Sequence, residues 1–144
     1  MVSFLTTRVK EPDEDDWEKL KHGLMYLKGT LYMKRHIKAD ALNIIRWWVD
    51  ASYGIHFYCK GHTGIMMSMG RGALVNISRK HKMKTGSSTE SELVGIADVL
   101  RMMMWCKYFM EAQGYIIESN IIYQDNKSTI LLAKNRRMST GKNS

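Results

Sequence analysis

The sequence predicts an α/β domain, and three observations carry that expectation. Residues 43–53 alternate at period two, the spacing of a half-buried strand. Two further strand-like runs follow, separated by glycines. The stretch "SSTESELVGIADVLRMMMWCKYFMEAQG" then carries apolar residues at helical spacing and leads to "SNIIYQDN", a fourth strand.

Each element has a local cause. Residues 11–29 read as a helix with Asp13 as N-cap, acids in the first turn and Gly29 as C-cap. Its apolar stripe of Trp17, Leu20, Leu24 and Leu27 needs a partner. Residues 30–42 read as a polar link or short strand, with a boundary near residue 40. That divides the chain into an amino-terminal arm, 1–40, and a domain, 41–144. In the first strand Ile45, Trp47 and Val49 share one face, and Ile44, Arg46, Trp48 and Asp50 share the other. Gly61 and Gly64 suggest a turn, Ile65 to Met69 a second strand, Gly70-Arg71-Gly72 a tight turn, and Ala73 to Arg79 a third strand. These three form an antiparallel meander.

The basic stretch "RKHKMKTG" leads into the long helix, opened by a capping box of Ser87 with Glu90 or of Thr89 with Glu92, and closed by Gly114. Leu93, Ile96, Leu100, Met103, Met104 and Met110 are expected to face the core. "NKSTILLAKN" reads as a short second helix, and residues 135–144 as a fraying end.

The chain has 144 residues, enough for one core. Its formal charge of +8 hides an asymmetry, because six of the 14 acids crowd into residues 11–18. The basic remainder suits a polyanion, most commonly nucleic acid. Two cysteines, Cys59 and Cys106, suggest a reducing compartment, cytosol or nucleus, rather than a disulfide framework. His56, Cys59 and His62 read as strand and turn residues rather than a zinc site. No run reaches the roughly 18 apolar residues of a membrane span, so no membrane partner is expected.

Three acids stand out by position: Asp50 within the first strand, Glu92 early in the long helix, and Asp125 at the end of the fourth strand. Carboxylates from separate segments can share hard divalent cations such as Mg²⁺. The alternative is that Asp50 pairs with Arg46 or a lysine, Glu92 is a helix-start acid, and Asp125 is a helix N-cap.

The segments "WVDASYG", "SSTESELVGIADVL" and "IIYQDNKSTILLAKN", in this order, resemble the ribonuclease H domain of copia-type retrotransposon polyproteins. The resemblance runs from about residue 42 to 135, and the "LTTRVKEPDEDDWEKLKHGLMYLKGT" segment resembles the end of the preceding reverse transcriptase region. It implies a ribonuclease H-like mixed sheet, with the fourth strand parallel to the first. It also implies Asp50, Glu92 (chosen over Glu90) and Asp125 as ligands of two Mg²⁺ or Mn²⁺ ions, hydrolysing the RNA strand of an RNA·DNA hybrid. Arg79, Lys80, Lys82 and Lys84 would contact phosphates, with Asn126 and Ser128 also on the nucleic-acid side. The reverse transcriptase region of the same polyprotein is the implied protein partner.

One departure shapes the expectation of activity. That family supplies a fourth acid in a last strand and helix, and no Asp or Glu follows Asp125 here. The fold is therefore expected to be truncated before that last strand and helix, with hydrolysis weakened or lost. The competing reading is a non-catalytic, basic nucleic-acid-binding remnant.

Overall fold

The alternation in "IIRWWVDA" builds the central strand of a four-stranded sheet in the computed structural model, which describes residues 2–40 and 42–135 and, of Phe57, the backbone alone. The elements are α1 (Val2–Leu5), α2 (Glu14–Gly29), β1 (Lys38–Ala39), β2 (Ile44–His56), β3 (Lys60–Ser68), β4 (Gly70–Arg71), β5 (Val75–Lys84), α3 (Ser88–Ala112), β6 (Ser119–Tyr123) and α4 (Lys127–Asn135). The main sheet has the order β5-β3-β2-β6, and β1 pairs with β4 separately. β2 and β3, and β3 and β5, run antiparallel, whereas β6 lies parallel to β2 after the α3 crossover. The sheet is mixed, as expected.

Of the two faces of β2 that alternation separates, the one with Ile45, Trp47 and Val49 is the buried one, these residues being at most 3% exposed. They pack with Ile65 and Met67 of β3 and with Val99, Met103 and Cys106 of α3. A polar clamp crosses this core. Trp47 Nε1 donates to Asn120 Oδ1 (2.9 Å), and Asn120 Nδ2 donates to the Met103 carbonyl (3.0 Å), tying β2, β6 and α3 together. A buried indole N–H without such an acceptor would be destabilising.

The strands run longer than the glycines suggest. Gly61 and Gly64 lie inside β3 rather than at a turn. A Cβ at Gly61 would sit 2.6 Å from His81 Nδ1 and 2.7 Å from the Ser52 carbonyl, so close packing explains that glycine. The reversal falls at Phe57–Cys59, where Tyr58 (φ 63°) and Cys59 (φ 55°) adopt left-handed backbone, a conformation that side-chain type rarely announces. Gly70–Arg71 is a short strand against Lys38–Ala39 rather than a tight turn. The basic stretch "RKHKMK" is the second half of β5, and within it His81 is buried, bonded through Nε2 to Thr63 Oγ1.

The core face of α3 matches the expected one only in part: Met103 is in the core and Met110 packs against it, but the other expected residues are not buried. Ser91, Glu92, Gly95, Val99, Met103 and Cys106 are buried, while Leu100 and Met104 are about half exposed and Leu93, Ile96 and Met110 only partly covered. Small residues make the amino-terminal part of this face: a Cβ at Gly95 would meet Thr63 Cγ2 and Val49 Cγ1 at 3.3 Å and Ala51 Cβ at 3.4 Å. The helix therefore lies close against β2 at its amino-terminal end.

In the arm, Asp13 caps α2 and forms a capping box with Asp16, and Arg8 bridges both carboxylates at 2.5 Å. Gly29 is the last helical residue, with Thr30 as C-cap. Trp17, Leu24 and Leu27 remain more than half exposed. Among the described residues no helix is long and apolar enough to cross a membrane. The fraying expected for 135–144 lies outside the described residues beyond Asn135, which ends α4.

Gly95→Leu should lower stability by about 1–3 kcal/mol, because a branched side chain has no room between α3 and β2. Urea unfolding measures this; an unchanged midpoint would show that α3 is not seated as described.

Candidate metal centre

Three segments converge at one rim of the sheet. Parallel pairing sets Trp48 of β2 opposite Tyr123 of β6, and two residues further along each segment stand Asp50 and Asp125. Asp50 lies in β2 opposite Gly64, whose lack of a side chain leaves the space beside it open. Glu92 comes from the first turns of α3, brought close by the seat at Gly95 one turn later. One carboxylate oxygen of each of Asp50, Glu92 and Asp125 lies within 4.8 Å of the others. Glu92 is buried (4% exposed); the two aspartates are exposed.

The bland alternatives do not describe this arrangement. Asp50 makes no ion pair with Arg46 or any lysine among the described residues. Asp125 does not cap α4, since Asn126 Oδ1 accepts from the Thr129 amide (3.0 Å). Ser87 caps α3 by accepting from the Glu90 amide (3.1 Å), and the Glu90 carboxylate accepts from the Gly86 amide (2.6 Å). Glu90 is thereby committed away from the trio, and Glu92 is the glutamate that faces it.

Burial pushes the Glu92 carboxyl above its usual range, and the Asp50 and Asp125 charges push the same way. Hydrogen bonds from Gln124 and from the Ala51 backbone oppose the shift. Gln124 Nε2 donates to Glu92 Oε2 (2.9 Å), and Gln124 Oε1 accepts from the amides of Asp125 (2.8 Å) and Asn126 (3.0 Å). Sequence reasoning passes over Gln124; its only signal is its place directly before Asp125. An all-carboxylate donor set with no basic partner suits a hard divalent cation, which would relieve the mutual repulsion.

The basic residues are distributed unevenly around this rim. β5 is the edge strand two removed from β2, and Ser78 stands level with Gly64 and Asp50. Arg79 forms an ion pair with Asp98 of α3 (3.4 Å) while its side chain stays 45% exposed. Lys80, Lys82 and Lys84 lie progressively further along the edge, and Lys84 sits over the Tyr58 ring. Asn126 is engaged as the α4 cap, and Ser128 is exposed in its first turn. His56 Nε2 and His62 Nδ1 share a hydrogen bond (2.7 Å), and His62 Nε2 reaches Ser78 Oγ (2.7 Å), while Cys59 is exposed.

These shifts fix the sign of two pH effects. Burial lowers the pKa of His56, His62 and His81, so the fold loses stability as pH falls below about 6.5, where the unfolded imidazoles take up protons first. Glu92 acts oppositely. Its folded pKa lies above 4.5, so its contribution is fully present below that pH and is lost as pH rises through the folded value. Without metal, Glu92→Gln should therefore stabilise the fold near neutrality, with the gain vanishing below about pH 4.5. Urea midpoints across pH test this; equal loss of stability at every pH would contradict it.

Comparison with known proteins finds relatives across nearly the whole chain. The chain is 28% identical over 141 residues to the retrovirus-related Pol polyprotein from transposon TNT 1-94 of Nicotiana tabacum, covering 93% of this chain and 10% of that one. It is 26% identical over 141 residues to the retrovirus-related Pol polyprotein from transposon RE2 of Arabidopsis thaliana, covering 93% and 9%. No family model matches the chain. No solved structure matches it either. The chain spans about a tenth of the length of these curated relatives. Its homologues are thus retrovirus-related Pol polyproteins of copia-type transposons, and the chain corresponds to one short segment of them.

Proposed function

We propose that residues 41–144 form a ribonuclease H-like domain that hydrolyses the RNA strand of an RNA·DNA hybrid. The observation that carries this reading is the convergence of Asp50, Glu92 and Asp125 from two strand segments and a helix onto one rim. A mixed sheet whose antiparallel meander is followed by a helix and a parallel strand is compatible with that fold.

Asp50, Glu92 and Asp125 would hold two Mg²⁺ or Mn²⁺ ions. When bound, such ions lower the pKa of the attacking water and stabilise the leaving oxygen of an in-line displacement. Asp50 and Asp125, exposed at the rim, stand where a substrate phosphate can approach. Glu92, buried behind them, anchors the site from the helix. Lys80, Lys82 and Lys84 extend the contact along one strand of the hybrid by meeting phosphates, which position without reading sequence. Ser128, exposed in the first turn of α4 three residues after Asp125, would meet the same backbone. Residues 1–40 belong on this reading to the end of a reverse transcriptase region, and the exposed Trp17, Leu24 and Leu27 of α2 face the rest of the polyprotein.

A labelled RNA·DNA hybrid tests the proposal. Cleavage confined to the RNA strand, dependent on Mg²⁺ or Mn²⁺ and reduced to background in Asp50→Asn, is the expected result. Cutting that survives the substitution would contradict it. Binding that weakens steeply with salt, with no cutting under any metal, would instead leave a basic nucleic-acid-binding protein.

A further inference from the structure

We propose that Gln124 is the positioning residue of the acidic trio, joining the Glu92 carboxylate and the Asp125 backbone through one side chain. The assignment rests on the metal-binding reading of Asp50, Glu92 and Asp125. It adds the device that fixes two of the three acids relative to each other.

The argument begins with the chemistry of the primary amide, which carries two donors on one atom and an acceptor on the other. In Gln124 both ends are used. Nε2 donates to Glu92 Oε2 at 2.9 Å, and Oε1 accepts from the consecutive amides of Asp125 and Asn126 at 2.8 and 3.0 Å. The orientation of the amide group follows from its partners. Backbone N–H groups can only donate and an ionised carboxylate can only accept, so a flipped amide would lose every one of these bonds.

Other side chains fail for definite reasons. Glutamate would keep the acceptor but set a fourth negative charge against Glu92. Methionine or leucine would offer neither bond, and asparagine is one methylene shorter. Gln124 is itself anchored, because it directly follows Tyr123, which is paired with Trp48 across the parallel ladder. On its other side Asn126 is fixed as the cap of α4. The turn carrying Asp125 is therefore held at both ends, and the same side chain restrains the rotation of the Glu92 carboxylate. Partners of this kind, which orient ligands without touching the ion, commonly change metal affinity by about 10–100-fold.

The test uses the full chain and MgCl2 as the only added ligand. Thermal unfolding is followed against Mg²⁺ concentration for the wild type, Asp50→Asn and Gln124→Met. The expected result is that Gln124→Met needs about 10–100-fold more Mg²⁺ for half of the stabilisation. A merely structural role would lower metal-free stability and leave that midpoint in place, so a wild-type midpoint in a folded Gln124→Met overturns the proposal. If Gln124→Met does not fold, hydrogen exchange of the Gln124 side-chain amide in the wild type decides: slow exchange supports the bridge, and exchange at the rate of a free amide overturns it. Failure of the underlying reading is distinct, since Mg²⁺ would then shift neither the wild type nor Asp50→Asn, and the proposal falls with it.

Discussion

Three carboxylates held within 4.8 Å of one another, one of them buried, are the constraint around which the sheet and its helices are arranged. Such groups repel, and a buried carboxylate is further penalised by lost hydration. The compensation comes from packing elsewhere. Trp47, Ile45 and Val99 are fully buried in the core beneath the site, and the Trp47–Asn120–Met103 clamp fixes β6 and α3 against β2. The backbone thus presents the acids whether or not their charges favour it. On the proposed metal-binding reading, a divalent cation would turn the same geometry from a source of strain into a binding site.

The two ends of the site differ in character. Glu92 is approached by small residues: Ser91 is buried beside it, and Gly95 one turn later lets the helix axis come near β2. Asp50 and Asp125 instead stand at the end of a parallel ladder, open to solvent. A buried acid fixed by helix packing and two exposed ones fixed by strand register make an asymmetric site, rigid behind and accessible in front. The RNA·DNA hybrid proposed as substrate would require such accessibility, and the lysines of β5 lie along an edge strand of the same sheet.

Much of this was legible in the sequence, and the rest was hidden for physical reasons. Period-two alternation put Ile45, Trp47 and Val49 on one face, which is the buried one, and the resemblance of the segments carrying Asp50, Glu92 and Asp125 to copia-type ribonuclease H domains singled out the acids that the fold brings together. The β2–β3 reversal was hidden because Tyr58 and Cys59, neither of them glycine, take left-handed backbone, while Gly61, one of the two glycines that looked like a turn, is needed for close packing inside β3. His81 was hidden in a basic run, where only its hydrogen bond to Thr63 reveals that it points inward. The contact face of α3 was legible only in part: Met103 is buried as its spacing suggests, but spacing rules weigh large apolar residues, and the amino-terminal end of this helix docks through serine and glycine. Gln124 was invisible for a different reason: its role depends on partners 32 residues apart in the chain and on two backbone amides, none of which composition can locate.

The most direct test of the account is anomalous diffraction from crystals of the chain grown with Mn²⁺, which takes the same oxygen ligands as Mg²⁺. The expected result is an anomalous peak at bonding distance from Asp50, Glu92 and Asp125. A metal-free rim in saturating Mn²⁺, with these carboxylates turned apart or paired with lysine or arginine, would contradict it.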